Sequence, residues 1–240
     1  GTAPSLPAFS ITTVSLQLGY LAFQNNRITT HFEVAVRSSP PTMSVWQATN
    51  VSGTLLSITG TPVTLTLKLE YLTMSNCNMS DVILKVTDMS VALKGLNFTN
   101  VTASQYLDLS SGDPGASVLL QSSTFKNGAC TASLACISVQ PSTFTLNATV
   151  FQNMETNGGV VHHLPDLISE MVMDNVTFVD IHSNVDYAGA RLDAHTTGTV
   201  DVSSCSFIRC VSEGQYGALA IQINGYRTSF NVSFNNFEEN

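Results

Sequence analysis

Charge is scarce in this chain of 240 residues, where only 11 % are Asp, Glu, Lys or Arg, against about 25 % in an ordinary soluble domain. Positive charge is scarcest, with 9 Lys plus Arg against 17 Asp plus Glu and a net charge of −8. A nucleic-acid binder needs a basic face to displace phosphate counterions, so that class is set aside. No run of about 18 apolar residues occurs, so no transmembrane helix is expected. No signal-peptide pattern is seen, and Gly1-Thr2-Ala3-Pro4 reads as a processed or truncated start. The five Cys include no C-x-x-C pair, which argues against structural zinc. No metal, no cofactor and no catalytic residue is expected. What remains is 43 % apolar residues, enough for a core, and a neutral polar surface of 28 Ser, 27 Thr and 18 Asn.

A ten-residue phrase recurs: two apolar residues two apart, an aromatic five positions later, then Asn. LKLEYLTMSN (Leu67–Asn76), VALKGLNFTN (Val91–Asn100), VLLQSSTFKN (Val118–Asn127) and FTLNATVFQN (Phe144–Asn153) are four of its copies. With the aromatic as position zero, the anchors are Phe23, Ala48, Met74, Phe98, Phe125, Phe151, Phe178, Phe207 and Phe237, spaced 24 to 30 residues apart. Position −5 is apolar in all nine copies: Leu18, Met43, Leu69, Leu93, Leu120, Leu146, Met173, Val202 and Val232. At 43 % apolar content this would arise by chance in roughly one case in two thousand. Position −4 is polar or Gly throughout, which is the in–out alternation of a strand with one buried face.

A unit of about 27 residues with short strands and turns cannot bury its apolar face alone. Stacking the units covers each with the next. The expected fold is all-β, a right-handed parallel β-helix of about nine coils forming one domain over 1–240. At about 4.8 Å per coil it makes a rod roughly 40 Å long. Phe23, Phe98, Phe125, Phe151, Phe178, Phe207 and Phe237 are expected to stack inside it. Position +2 holds Asn25, Asn50, Asn76, Asn100, Asn127 and Asn153, then Asp180, Arg209 and Glu239. Asn tolerates the left-handed conformation of a tight corner, and stacked amides bond one another. A buried Asn ladder is therefore expected. The final copy stops in mid-coil and no capping helix precedes the first. The chain is thus read as a segment of a longer one, or as a subunit whose ends stack on neighbours.

Coil length, stacked Phe and corner Asn resemble the right-handed parallel β-helix of the pectin-lyase-like class. FQNN at Phe23–Asn26 and FEEN at Phe237–Asn240 are similar to the F-x-x-N repeats of polymorphic outer-membrane proteins and related surface passengers. NGGVV at Asn157–Val161, AGARL at Ala188–Leu192 and YGALA at Tyr216–Ala220 partly echo the G-G-A-[ILV] phrase of those repeats.

Seven Asn-x-Ser/Thr sequons occur, at Asn50, Asn78, Asn97, Asn100, Asn147, Asn175 and Asn231, where about four are expected by chance. Asn147 and Asn231 point outward in the first strand of their copies, and Asn175, Asn78 and Asn97 are further candidates for glycan. Asn50 and Asn100, assigned to the buried ladder, are expected to stay bare. Cys205 with Cys210, or Cys130 with Cys136, is a candidate disulfide, and Cys77 is as readily a buried thiol.

Many β-helices cleave acidic polysaccharides, using paired carboxylates. The hydrolase phrases of the pectin-lyase-like class, N-T-D, D-D, G-H-G and R-I-K, are absent here. Ionisable residues concentrate in the C-terminal third. Asp166 and Asp193 both lie fifteen residues after their anchors, with Arg191, His162, His163 and His195 near them. They define an alternative reading, an acidic carbohydrate-binding or polysaccharide-cleaving groove. The favoured reading is no enzyme but a secreted, extracellular or cell-surface structural glycoprotein. It would be a rigid module of a fibre, sheath or adhesin, self-associating end to end or contacting other surface proteins.

Overall fold

A computed structural model describes residues 9–13, 17–19, 21–24, 32–36, 42–49, 56–60, 66–165, 168–184, 187–194, 197–214, 216–224 and 227–240. It is a parallel β-solenoid with no helix among the described residues. Each turn lays down three strands. In one turn these are Ser117–Gln121, Thr124–Cys130 and Ile137–Val139. Strands of successive turns pair in parallel, giving three faces. The third face holds nine strands, from Phe9–Thr13 to Leu219–Ile223. The first and second faces join in one 16-stranded sheet, because Thr42–Thr49 and Thr66–Asn78 run unbroken across both. Complete turns number about six, about 27 residues apart. The expected nine counted every copy of the phrase. The first three have described strands but undescribed links, and the last is a partial turn.

All nine anchors fall in one ladder, Phe23↔Ala48↔Met74↔Phe98↔Phe125↔Phe151↔Phe178↔Phe207↔Phe237. The nine residues at −5 form a second, from Leu18↔Met43 to Val202↔Val232. Side chains alternate faces along a strand, so register fixes which ones reach the core. Leu69, Leu93, Leu120, Leu146, Met173 and Val202 are all fully buried, as are the anchors from Met74 to Phe207. Because strands pair at about 4.8 Å, aromatic residues in register are brought into ring contact. Four successive pairs from Phe125 to Phe237 stack nearly parallel, with centroids 4.9 to 5.0 Å apart. Phe98 meets Phe125 edge-on at 81°. Tyr106 from the third face packs against both rings, and its hydroxyl donates to the Val101 carbonyl at 2.7 Å. Gly128 leaves that space open, since a Cβ there would collide with the Tyr106 hydroxyl.

Two corners recur at fixed positions, both in the left-handed region. At +2, Asn76, Asn100, Asn127, Asn153, Asp180, Arg209 and Glu239 have φ of 50° to 55°. At −3, Tyr71, Gly95, Ser122, Ala148, Asn175, Ser204 and Phe234 have φ of 47° to 67°. Each non-Gly residue there costs about 1 kcal/mol. Side chains at −2 bind across the second corner. Ser123 Oγ donates to the Gln121 carbonyl and accepts from the Leu96 amide, and Thr149 Oγ1 donates to the Asn147 carbonyl.

Candidate functional site

The ionisable cluster lies on the third face, where Ala190–Ala194 pairs with Val161–His163 on one side and Leu219–Ile223 on the other. Alternation buries Ala190, Leu192 and Ala194 and turns Arg191 and Asp193 to the opposite side. Register sets Arg191 beside His162 and Asp193 beside Gln222. His162 Nε2 lies 3.0 Å from Asp193 Oδ2, and Arg191 Nε donates to Asp193 Oδ1 at 3.1 Å. Arg191 Nη2 donates to Gln222 Oε1 at 2.8 Å. Asp193 is thereby only 3 % exposed. Burial alone pushes its carboxyl up, but the hydrogen bonds and charges of His162 and Arg191 outweigh that and hold it below the ordinary carboxylate value.

His163 points the other way, fully buried between Val139 and Leu192 in the ladder. Its Nε2 lies 2.9 Å from the Pro141 carbonyl, and its Nδ1 has no partner among the described residues. Burial, with a smaller contribution from neighbouring His162, lowers its pKa to about 4. It is therefore a neutral core residue rather than part of an open groove. Asp166 and His195 lie outside the described residues. Asp193, the one described carboxylate of the expected groove, is bound by a guanidinium and an imidazole rather than by a second carboxyl.

A cleft of about 230 Å³ opens beside this cluster, and Arg191, His162, Tyr187 and Gly158 are in its lining. The rest of the lining, a lip of the cleft, is Ser133, Leu134 and Ala135. That lip belongs to a loop closed by a disulfide between Cys130 and Cys136. Gly158 and Gly159, both in the NGGVV phrase, are sterically required. A Cβ at Gly158 would strike the Leu134 carbonyl, and one at Gly159 would enter the Tyr187 ring.

Cys205 and Cys210 form no disulfide, correcting one of the two candidate pairings. Both are buried thiols outside any disulfide, as is Cys77. The Cys205 thiol donates to the Met173 and Ser203 carbonyls, and that of Cys210 to the Phe178 and Ile208 carbonyls. Burial pushes their pKa values up to about 11 and about 12, so neither is a reactive thiolate at neutral pH.

Asn100 donates to Asn76 and Asn153 to Asn127, each at 3.0 Å. Asn25 and Asn50 lie outside the described residues. The expected buried ladder is in fact exposed at Asn76, Asn100, Asn127 and Asn153, because the left-handed corner turns these amides outward. Burial therefore gives no reason for Asn100 to stay bare. The same column continues as ions. Arg209 donates to both oxygens of Asp180, at 2.6 and 3.1 Å, and lies 3.9 Å from Glu239. Among the glycan candidates, Asn78, Asn97, Asn175 and Asn231 are exposed and Asn147 is half-buried.

Sequence reasoning missed a second amide ladder at +6, where Asn184 donates to Asn157 Oδ1 at 2.8 Å and Asn157 to the Thr131 carbonyl at 2.8 Å. The signal was present, since Thr131, Asn157, Asn184 and Glu213 are four consecutive polar residues at that offset. It also missed the cleft and the −3 corner, whereas the loop between Cys130 and Cys136 was marked by that candidate disulfide, which is formed. No protein-family model matches the chain, and no curated protein or solved structure matches it.

Proposed function

We propose that the chain is a rigid, non-enzymatic module of an extracellular fibre, sheath or adhesin, bearing N-linked glycans on a neutral surface. The observation that supports this best is the unbroken register of the anchor and −5 columns through every copy of the phrase. Such stacking makes each turn the template for the next. The exposed sequons at Asn78, Asn97, Asn175 and Asn231 suit a secreted protein, and among the described residues no helix is long and apolar enough to cross a membrane. The F-x-x-N and partial G-G-A-[ILV] phrases fit a surface passenger of the polymorphic outer-membrane type, and the coil fits the pectin-lyase-like class. End-to-end association and contact with other surface proteins complete this reading.

The test is electron microscopy of native material combined with glycopeptide mass spectrometry. Thin rods or filaments, with glycan on at least one of the four exposed sequons, are expected. Bare Asn at every sequon from a native source would remove the glycoprotein, and a compact isolated particle would remove the fibre.

A further inference from the structure

We propose that Asn175 carries the principal N-linked glycan of this chain, and that this glycan screens the edge between the first and second faces from a second copy lying alongside. The inference rests on the glycoprotein reading above and narrows it from several sequons to one. Transfer joins Asn Nδ2 to the anomeric carbon of a glycosyl diphosphate donor. The bond from that carbon to the diphosphate breaks, the diphosphate leaves, and Nδ2 gives up one of its two protons. A glycan is bulky and hydrated, so a folded chain accommodates it where Nδ2 faces solvent and the neighbouring turns leave room. Six of the seven sequons are described, and they differ in both respects.

Asn175 stands exposed at a −3 corner with φ 53°, and its side chain has no hydrogen-bond partner among the described residues. Asp174 lies between Asn147 and Ser203 in its ladder, so the residues on either side of Asn175 in the corner column are Ala148 and Ser204, both small. The corner holds without the side-chain amide, because the Asn175 backbone N–H donates to the Ser203 carbonyl at 3.1 Å and Val176 is fully buried. No other described sequon combines these features. Asn231 Nδ2 donates to Asp201 Oδ1 at 3.2 Å and to Ser233 Oγ at 3.3 Å. Asn100 Nδ2 donates to Asn76, and Asn147 is half-buried. Asn97 lies in a strand between Thr73 and Thr124, and Asn78 lies beside Thr102, so β-branched side chains flank both. Outward apolar residues gather on the two faces that meet at Asn175. Val172 is 39 % exposed on the first face, and Val150, Val179 and Ile208 are half-buried on the outer side of the second. Such a strip favours contact between rods lying side by side. A glycan rooted at Asn175 holds them apart and leaves end-to-end association open.

The test is glycopeptide mass spectrometry of the native protein, with occupancy measured at every sequon, followed by sedimentation of the Asn175→Gly variant. Gly95 occupies the same corner in an earlier turn, so this substitution removes the acceptor without straining the backbone. Asn175 is expected to be the most occupied sequon. The variant is expected to lose most of the glycan mass and to form side-by-side assemblies that the unaltered protein does not form. Glycan on other sequons with Asn175 bare, or in the minority, overturns the assignment. A variant that sediments as the unaltered protein does overturns the screening role. Bare Asn at every sequon overturns the glycoprotein reading and this inference with it. If Asn175→Gly does not fold, glycosidase treatment of the unaltered protein supplies the sedimentation comparison.

Discussion

Truncating one ring in the middle of the aromatic column tests the solenoid most directly. Phe151 is fully buried and stacks on Phe125 and Phe178, at 5.0 Å on each side. Removing a buried Phe side chain costs about 3–5 kcal/mol. The two ring contacts, worth about 0.5–1.5 kcal/mol each beyond area, place Phe151→Ala in the upper half of that range. Phe237 is half exposed and stacks on Phe207 alone among the described rings, so Phe237→Ala should cost about 1–2 kcal/mol. Urea unfolding gives both values, fitted with nearest-neighbour coupling between turns. A double-mutant cycle adds a sharper readout. Phe151 and Phe178 should couple by about 0.5–1.5 kcal/mol. Phe151 and Phe207, with a turn between them, should couple by less than about 0.5 kcal/mol. A loss below about 1 kcal/mol for Phe151→Ala, or equal losses at 151 and 237, would refute the idea that stacked turns carry the stability.

Two further outcomes follow from buried or strained positions. His163 has a folded pKa of about 4 against about 6.5 unfolded, so the unfolded chain binds the extra proton in that window. Its contribution to stability is therefore complete above pH 6.5 and is lost as pH falls toward 4, by about 1.4 kcal/mol per pH unit and about 3 kcal/mol in all. Denaturant midpoints measured across that range should flatten in His163→Gln, and an unchanged slope would refute the assignment. Ala148 occupies the −3 corner at φ 47°, where Gly carries no Cβ penalty, so Ala148→Gly should stabilise by about 1 kcal/mol. A lower melting temperature for that variant would show that the corner is not strained.

The strands were legible because a side-chain period of two leaves little choice once one face is buried. Position −5 was apolar in nine copies, and the structure sets all nine in one ladder. The corner at +2 was legible because Asn is chemically suited to it. That at −3 was not, since it carries Tyr, Gly, Ser, Ala, Asn, Ser and Phe. No side-chain preference marks it, because the stacking of flanking strands imposes the conformation. The same stacking explains why the ladder at +2 survives a change of chemistry from amide pairs to Asp180 with Arg209. Geometry sets the contact, and any complementary pair can fill it.

The site was legible only in part, for a reason of register. On the first two faces, equal distance from the anchor means equal position in the stack. Between the second and third faces lie loops of different length. His162, eleven residues after Phe151, therefore stands beside Arg191, thirteen after Phe178. The common offset of fifteen that linked Asp166 with Asp193 crosses that boundary, and Asp166 lies outside the described residues. The rule that does survive there is alternation, which sets Arg191 and Asp193 two apart on one side of a strand. It brings a cation onto the only carboxylate of that strand, so that Asp193 offsets the charge of the Arg191 that lines the cleft.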